Sequence, residues 1–249
     1  MALSTNVVFY LKLDESSGNA ADASGNSRDF TNNNSCSYTT GKLNNCLAYQ
    51  GGTSSKNLTR TDEAALSPTA AATWSMWYKP STLSGSIDTN ICSKWHYFST
   101  GSWLLRTNGT ELEFYVDGNA SGITSGLGLS TGTWYHIVVV FDGSGSGNSG
   151  RLKLYVDGVE KTLTYTGTIP ASLPDSAAPF QIGAWYQSGV VERAGGGAID
   201  EFGFMNAAWS SDYVTAAYGS GTPPTYADWP SLPAAPATSP NLLTLLGVG

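Results

Sequence analysis

Residues Thr131–Gly143 read TGTWYHIVVVFDG, and residues Arg151–Gly158 read RLKLYVDG. The first segment is a polar turn followed by an aromatic pair, an apolar run and an Asp-Gly dipeptide. The second alternates apolar and polar side chains and ends in another Asp-Gly. Alternating segments bounded by such dipeptides are typical of antiparallel strands joined by tight turns. The pair therefore predicts two neighbouring antiparallel strands of a β-sandwich.

Segments of the same character recur along the chain, with turn residues between them. Strands are predicted at Val7–Leu13, Leu43–Tyr49, Thr73–Tyr78, Asn90–Lys94, Trp103–Thr107, Glu111–Val116, Tyr135–Phe141, Leu152–Val156, Phe180–Ile182 and Ala198–Met205. Tight turns with positive φ are predicted at Asn108-Gly109, Asp117-Gly118, Asp142-Gly143 and Asp157-Gly158. The glycine-rich segment 143–150 predicts a flexible loop, and Ser210–Tyr218 is the best candidate for a helix.

Composition excludes several classes of protein. Only 12% of the 249 residues are charged, and 29 are glycine, which suits twisted sheets joined by many turns. The net charge is −7 with no cluster of Lys or Arg, which argues against binding to nucleic acid. No apolar run is long enough to cross a bilayer, and no basic-then-apolar leader is visible at the N-terminus.

The chain has three cysteines, Cys36, Cys46 and Cys92. Cys36 and Cys46 could close a local loop in an oxidising compartment, which would leave Cys92 free. Because no secretory leader is visible, we favour three reduced thiols that act as small apolar side chains.

Five motifs occur in a fixed order. They are Tyr10–Gly18 (YLKLDESSG), Ala21–Asn26 (ADASGN), Gly41–Leu47 (GKLNNCL), Thr73–Pro80 (TWSMWYKP) and Gly197–Phe202 (GAIDEF). Together with the segment at 131–158, they resemble the laminin-G-like jelly roll of the concanavalin A-like superfamily over residues 6–218. The resemblance implies an all-β fold, a sandwich of two antiparallel sheets. Members of this family mostly bind ligands, and a fold alone does not name the ligand.

The resemblance also implies one structural Ca²⁺ at the edge of the sandwich. The positions that match the family's ligands are Asp22, Asn26 and Asp200. Carboxylate and carbonyl oxygens next to a glycine-rich turn suit Ca²⁺. In the alternative, Asp22 and Asn26 only form a turn and Asp200 anchors a local hydrogen-bond network.

Carboxylate pairs are the first place to look for a glycosidase, because a retaining enzyme needs two acids about 5 Å apart. Glu111 and Glu113 share a strand face but lack a third acid. Asp200 and Glu201 are adjacent, so simple strand alternation predicts that they point to opposite faces. The two histidines, His96 and His136, have no Gly-x-Ser-x-Gly elbow, and His136 is predicted to pack structurally. We therefore expect no enzymatic activity.

Aromatic residues near the predicted loops are the candidate ligand contacts. Sugar rings stack on aromatic faces, and these residues are Trp95, Tyr97, Trp103, Trp185 and Tyr186. The alternative is that some of them belong to the core, since sandwich cores also use tryptophan.

The chain changes character after residue 220, so we predict a jelly roll at 1–220 and an extension at 221–249. Thr222–Pro240 contains six prolines and must be extended. The final segment, Asn241–Gly249, is rich in leucine. An exposed apolar tail is unfavourable, so residues 222–249 are expected to pack on the sandwich, on a partner subunit or on another copy of the chain.

These observations favour a non-catalytic binding module carried on a larger assembly. Low charge, abundant Gly, Ser, Thr and Asn, and the apolar tail suggest the surface of a phage or viral particle, as a capsid decoration or fibre component that binds host glycans or proteins. A secreted bacterial carbohydrate-binding or adhesin domain at the cell surface is the alternative. A glycosidase is the least favoured reading.

Overall fold

The computed structural model describes residues 6–49, 56–83, 89–95, 102–187, 190–192 and 196–227. Two antiparallel sheets of eight strands each form a sandwich. The first sheet contains β1 (Val7–Leu11), β3 (Ser37–Thr40), β4 (Asn45–Tyr49), β6 (Ala71–Pro80), β11 (Tyr135–Asp142), β12 (Leu152–Val156), β13 (Val159–Lys161) and β18 (Gly197–Met205). The second contains β2 (Thr31–Asn33), β5 (Asn57–Arg60), β7 (Thr89–Lys94), β8 (Trp103–Asn108), β9 (Glu111–Val116), β10 (Ala120–Thr124), β14 (Leu163–Thr166) and β15 (Phe180–Ile182).

Short elements complete the chain. Strands β16 (Trp185–Gln187) and β17 (Val190–Glu192) pair with each other, α1 spans Gly147–Arg151 and α2 spans Ser211–Tyr218, and single 3-10 turns lie at Ala64–Leu66 and Gly219–Gly221. The first sheet runs in the order β13-β12-β11-β6-β18-β4-β3, and β1 pairs with the C-terminal half of β18, from Phe202 to Met205. The second sheet runs β14-β10-β9-β8-β7-β15-β5-β2. The predicted all-β sandwich is confirmed.

The two segments that opened the sequence analysis form neighbouring antiparallel strands, as predicted. Ile137 lies opposite Val156 and Phe141 lies opposite Leu152, so one side of the β11–β12 pair faces the core. All ten predicted strands are present; β9, β12 and β15 have the predicted bounds, and the bounds of the other seven differ. The eight strands that the prediction missed have three to five residues each, too few to show a clear alternation.

The turn predictions are partly wrong. Asp117-Gly118 and Asp157-Gly158 have positive φ at both residues, as the predicted hairpin turns require. Asn108, in contrast, is the last residue of β8, and positive φ begins at Gly109. Asp142-Gly143 has no positive φ, because the chain continues into α1 instead of reversing there.

The segment predicted as a flexible loop contains α1. Its backbone folds tightly, since a Cβ on Gly145 would lie 2.0 Å from the carbonyl oxygen of Gly150. Arg151 holds this turn by donating from Nε to the carbonyl of Gly145 and from Nη1 to that of Ile169. The glycines allow two backbone segments to approach each other closely here, although the glycine content of the segment predicted a flexible loop.

Aromatic rings fill the centre of the sandwich. Phe9 of β1 contacts Phe30 and Phe180 on one side and Phe202 and Phe204 of β18 on the other, with ring centroids 4.7 to 5.8 Å apart. Such tilted and edge-to-face arrangements add to the energy of apolar burial. The N-terminal strand is thereby fixed against the last long strand of the fold.

The outer face of the first sheet is covered by the segment that follows β18. Val138, Val140, Tyr155 and Met205 of the sheet pack against Trp209 and against α2. Helix α2 lies in the segment predicted to be helical; it begins after Ser210 and is capped by Gly219, whose φ of 58° is left-handed. The sheet is thus buried on both faces over much of its width.

Tyr226 continues this cover, since its ring stacks on that of Tyr10 at a centroid distance of 4.4 Å. The boundary at residue 220 stays a prediction. Tyr226 lies beyond it and still contacts the sandwich. Most of the predicted 221–249 extension lies outside the described residues. Within the described residues, no helix is long and apolar enough to cross a membrane.

Cys36, Cys46 and Cys92 are buried and not bridged. Burial raises the pKa of the Cys36 and Cys46 thiols to about 11. These thiols therefore stay protonated near neutral pH and behave as apolar side chains, in line with the reading we favoured.

His136 provides a pH-dependent test of the covered sheet face. Its ring contacts those of Trp77 and Tyr218, which also contact each other, and its Nε2 is 3.1 Å from the Ser75 hydroxyl. Burial lowers the pKa of His136 from 6.5 to about 3. Between these values the unfolded chain binds a proton that the folded chain does not, so acidification favours unfolding.

As pH drops from 6.5 towards 3, we expect His136 to lower the free energy of unfolding by up to about 1.4 kcal/mol per pH unit. His136→Gln removes this contribution, and the other titrating groups contribute equally to both proteins, so the stability of the wild type relative to the variant should fall over this range. Urea unfolding at a series of pH values measures the slope for both proteins. Parallel profiles below pH 6.5 would show that His136 is not buried in its neutral form.

Candidate functional site

The outer face of the second sheet carries a row of polar side chains. Cross-strand register places one residue from each strand in line: Thr31, Thr59, Gln181, Ser93, Leu104, Tyr115, Ser121 and Thr166. Seven of these eight side chains carry a hydroxyl or an amide. Ser93, Leu104, Ser121 and Gln181 are only 0 to 4% exposed. The row therefore offers accessible polar groups at its remaining positions, Thr31, Thr59, Tyr115 and Thr166.

Arg106 is the centre of a hydrogen-bond network beside this row. Its Nη2 donates to Glu113 Oε2 at 2.9 Å and to the Tyr115 hydroxyl at 2.7 Å. Asn108 also donates to Glu113 Oε2, and Ser121 donates to Oε1. The guanidinium lies 4.6 Å from the Tyr115 ring centroid, and the Arg106 side chain remains 16% exposed. We name these five residues the Arg106 network.

Aromatic side chains adjoin the network on the same face. Trp95, Leu104 and Trp185 form a small apolar cluster, with Tyr115 packed against it. The Trp95 and Tyr115 rings are 6.4 Å apart in a T-shaped arrangement. The Trp95 indole N–H is buried without a hydrogen-bond partner among the described residues. We name these four residues the Trp95 cluster.

The structure separates the five predicted ligand contacts. Trp95, which follows β7, and Trp185, the first residue of β16, come together in the Trp95 cluster although they are ninety residues apart. They are 8% and 9% exposed. The Tyr97 position and the Tyr186 side chain lie outside the described residues. Trp103 packs inside the sandwich against Trp74, Phe114 and Phe180 and is 1% exposed. The ligand-contact prediction is therefore corrected for Trp103, which is a core residue because its strand neighbour Leu104 takes the outer face.

Arg106, Glu113 and Tyr115 were not predicted as site residues. They meet only because β8 and β9 form a hairpin that places Arg106 opposite Glu113 and Leu104 opposite Tyr115. The Gly109 turn between the two strands was visible in the sequence. Counting outward from the predicted Asn108-Gly109 turn pairs Arg106 with Glu111, whereas the turn in the structure is at Gly109-Thr110, which makes Glu113 the partner of Arg106.

The Asp200–Glu201 pair lies on the first sheet, and its orientation corrects a prediction. Strand β18 contains a register shift between Asp200 and Gly203, with Glu201 at a φ of 50°. Asp200 lies opposite Trp77, and the Glu201 carboxylate accepts a hydrogen bond from the Tyr10 hydroxyl. Trp77 and Tyr10 both belong to the covered outer face, so the bulge puts the two acids on the same side.

These two carboxylates are closed to a substrate. Asp200 is 0% exposed and Glu201 is 4% exposed. Burial raises the pKa of Asp200 to about 7 and that of Glu201 to about 8. Asp200 Oδ2 accepts hydrogen bonds from the backbone N–H groups of Lys42 and Leu43 at 2.7 and 2.9 Å. The arrangement anchors a turn and offers no groove for a glycosidic bond.

The other candidate acid pair is also engaged. Glu113 is bound by the Arg106 network, and Glu111 accepts hydrogen bonds from the Thr124 hydroxyl and the Leu127 backbone N–H. Carboxylates held by internal donors in this way stabilise the hairpin. Neither is placed as a nucleophile or as a general acid.

The three residues predicted to bind Ca²⁺ serve backbone groups. Asp22 accepts from the N–H groups of Tyr10, Ser24 and Arg28, and the Asn26 amide donates to two carbonyls of β1. Asp200 shares no hydrogen-bond partner with either. Among the described residues, no group of three or more His, Cys, Asp or Glu is placed to hold a metal ion. The three side chains do not form one ligand set in this arrangement, and Ca²⁺ binding stays a prediction.

Solved structures share this fold at low sequence identity. The binding domain of Paraclostridial Mosquitocidal Protein 1 aligns with a TM-score of 0.64 at 14% identity, over 88% of this chain and 53% of that one. A Trypanosoma rangeli sialidase aligns with a TM-score of 0.64 at 14% identity, over 86% and 32%. Domain 4 of AbnA, an extracellular arabinanase from Geobacillus stearothermophilus solved with arabinotriose, aligns with a TM-score of 0.59 at 18% identity, over 85% and 97%.

The chain thus spans about half of the mosquitocidal binding domain and about a third of the sialidase, but nearly all of the arabinanase domain. At these identities the likeness shows the fold alone. No curated protein sequence matches significantly.

A family model described as the concanavalin A-like lectin/glucanases superfamily matches residues 50–215, which is about two thirds of the chain. The match runs from β5 into α2 and includes the motifs at Thr73–Pro80 and Gly197–Phe202. It lies within the resemblance drawn from the sequence over residues 6–218, whose first three motifs precede it. The chain therefore belongs to the concanavalin A-like lectin/glucanases superfamily.

Proposed function

We propose that this protein is a non-catalytic glycan-binding module whose ligand lies on the outer face of the second sheet. The observation that carries the proposal is the contact between the Trp95 cluster and the Arg106 network, which places aromatic and hydrogen-bonding groups side by side. Tyr115 belongs to both and is half-buried, so it links the apolar part of the surface to the polar part.

This combination matches the chemistry of a sugar. A pyranose or furanose ring has an apolar C–H face, which packs on an aromatic side chain, and hydroxyls at its edge, which need donors and acceptors. The Arg106 network supplies a guanidinium, an amide and two hydroxyls within a few ångströms. The polar row continues towards β14, where Thr164 and Thr166 are exposed. A linear glycan could extend from Tyr115 towards these two threonines.

A binding role is favoured over hydrolysis because both candidate acid pairs are engaged by internal donors. The descriptions of two similar structures also favour binding, since one is a binding domain and another is an arabinanase domain solved with arabinotriose. A sialidase is also among them, so hydrolysis remains the outcome to exclude by assay.

Binding to an array of immobilised glycans tests the proposal with the full chain. We expect at least one glycan to bind, and we expect Tyr115→Ala to weaken that binding about tenfold or more, because it removes the shared aromatic ring. Tyr38→Ala is the matched control, since Tyr38 is also half-buried but lies on the first sheet. Thermal unfolding of both variants separates lost binding from lost folding.

Two results would contradict the proposal. Absence of binding to every glycan would remove its basis, and equal binding by wild type and Tyr115→Ala would place the ligand elsewhere. Release of reducing sugar from a bound glycan would show that the protein is an enzyme.

We further propose that the module is carried on a larger assembly, at the surface of a phage or viral particle, through residues 222–249. The low charge, the abundance of small polar residues and the apolar segment Asn241–Gly249 support this proposal. A secreted bacterial carbohydrate-binding or adhesin domain at the cell surface is the alternative, and a leader encoded upstream in the gene would favour it.

Light scattering of the full chain and of a chain ending at residue 227 tests the assembly proposal. The cut keeps Tyr226, which stacks on Tyr10, so the sandwich retains its described contacts. We expect the full chain to form multimers and the shortened chain to be a monomer of unchanged thermal stability. Two monomers of equal stability would mean that residues 228–249 do not drive assembly.

A calcium titration tests the metal prediction. If Ca²⁺ binds at Asp22, Asn26 and Asp200, the thermal unfolding midpoint should be higher in excess Ca²⁺ than in EDTA, because a ligand that binds only the folded state stabilises it. Equal midpoints would contradict the prediction. A midpoint that rises with Ca²⁺ concentration, and that stops rising in Asp22→Asn, would establish the predicted site.

A further inference from the structure

A cavity of about 460 Å³ lies at one end of the first sheet, away from the proposed glycan surface. Strands β4 and β6 end there and β18 begins there, and the polar turn at Thr131–Gly132 forms part of the wall. The volume is within the range of small-molecule sites, roughly 300–1,000 Å³. Its lining residues include three hydroxyl side chains, Thr39, Ser81 and Thr131.

Lys79 is the charged residue of this cavity, and no carboxylate is among the residues that line it. The Lys79 ammonium forms no ion pair or hydrogen bond with any residue in the described part of the chain. The protein has a net charge of −7, so carboxylates are more numerous than cations, yet none of the described ones pairs with this ammonium. A ligand with a negative charge would supply the missing partner.

An aromatic ring adjoins the same ammonium. Lys79 Nζ lies 4.8 Å from the centroid of Trp134, which is half-buried and follows the Thr131–Gly132 turn directly. The contact holds the lysine chain at the edge of the cavity without neutralising it. A sugar ring that packs beside Trp134 could therefore place an acidic group on Lys79 and hydroxyls against Thr131 and Ser81.

We propose that this cavity is a second binding site, selective for sugars that carry a carboxylate. The proposal goes beyond the glycan surface on the second sheet, since it concerns another sheet, another set of residues and a defined ligand charge. The positive charge of Lys79 provides selectivity for acidic over neutral sugars, and the hydroxyls and Trp134 provide contacts that a simple anion cannot use.

The test is an NMR titration of the full chain with D-glucuronate and, separately, with D-glucose. The two probes differ only in a carboxylate against a hydroxymethyl group. We expect glucuronate to shift the Trp134 indole N–H resonance in a saturable manner and to bind at least about tenfold more tightly than glucose. Lys79→Gln should abolish the preference and Lys79→Arg should keep it, since arginine retains the charge and the aromatic contact.

Lys153→Gln is the matched control and should leave binding unchanged, because Lys153 is a surface lysine on β12, two strands away from β6, and lies near Glu160. Thr131→Trp fills the mouth of the cavity from an exposed position and should block binding even if Lys79→Gln is poorly folded. Equal binding of glucuronate by wild type and Lys79→Gln, or persistence of binding in Thr131→Trp, would overturn the proposal.

Acetate is the last probe. If acetate shifts Trp134 with the same affinity as glucuronate, the cavity recognises only an anion and the sugar class is wrong. The readout is Trp134, whereas the glycan surface is read through Tyr115, so either proposal can fail without affecting the other.

Discussion

The hydrogen bonds from Lys42 and Leu43 to the Asp200 carboxylate hold the first sheet together at its most crowded point. Strand β18 pairs with three strands, β6 on one side and β4 and β1 end to end on the other. The bulge at Asp200–Glu201 separates the half of β18 that pairs with β4 from the half that pairs with β1. Gly41 is required there, because a Cβ would lie 2.6 Å from Asp200 Oδ2. Two motifs 150 residues apart in the sequence are thus one structural unit.

The two outer faces of the sandwich differ because only one has an apolar cover. On the first sheet, Trp209, α2 and Tyr226 bury the outer side chains, and polar groups such as His136 and Glu201 are retained only with partners from that cover or from the sheet. The second sheet has a polar row instead, with the Arg106 network satisfying its own charges. The second sheet therefore keeps accessible polar groups at Tyr115 and towards Thr166, whereas most of the outer face of the first sheet is closed.

The cavity at Lys79 is the exception on the first sheet. It lies at the end of β6, where the turn before β11 forms a wall. None of the residues that line it belongs to α2. A neutral glycan surface and a cationic cavity on opposite sheets would let one domain contact two parts of a complex glycan or two separate chains. Binding at two sites on one rigid body raises the overall affinity without any new contact.

The sequence by itself determined the local features of this protein: the ten main strands, the helix at Ser211–Tyr218, the apolar character of the cysteines and the family. These depend on alternation, turn residues and caps, which act over a few neighbouring positions. Only the tertiary structure decided that Trp103 is a core residue while Trp95 and Trp185 meet outside, that Asp200 and Glu201 share a face, and that Arg106 binds Glu113. Each of these outcomes depends on the register between strands or on a bulge. Register is set by which distant strands pair, so no local pattern in the chain could fix it.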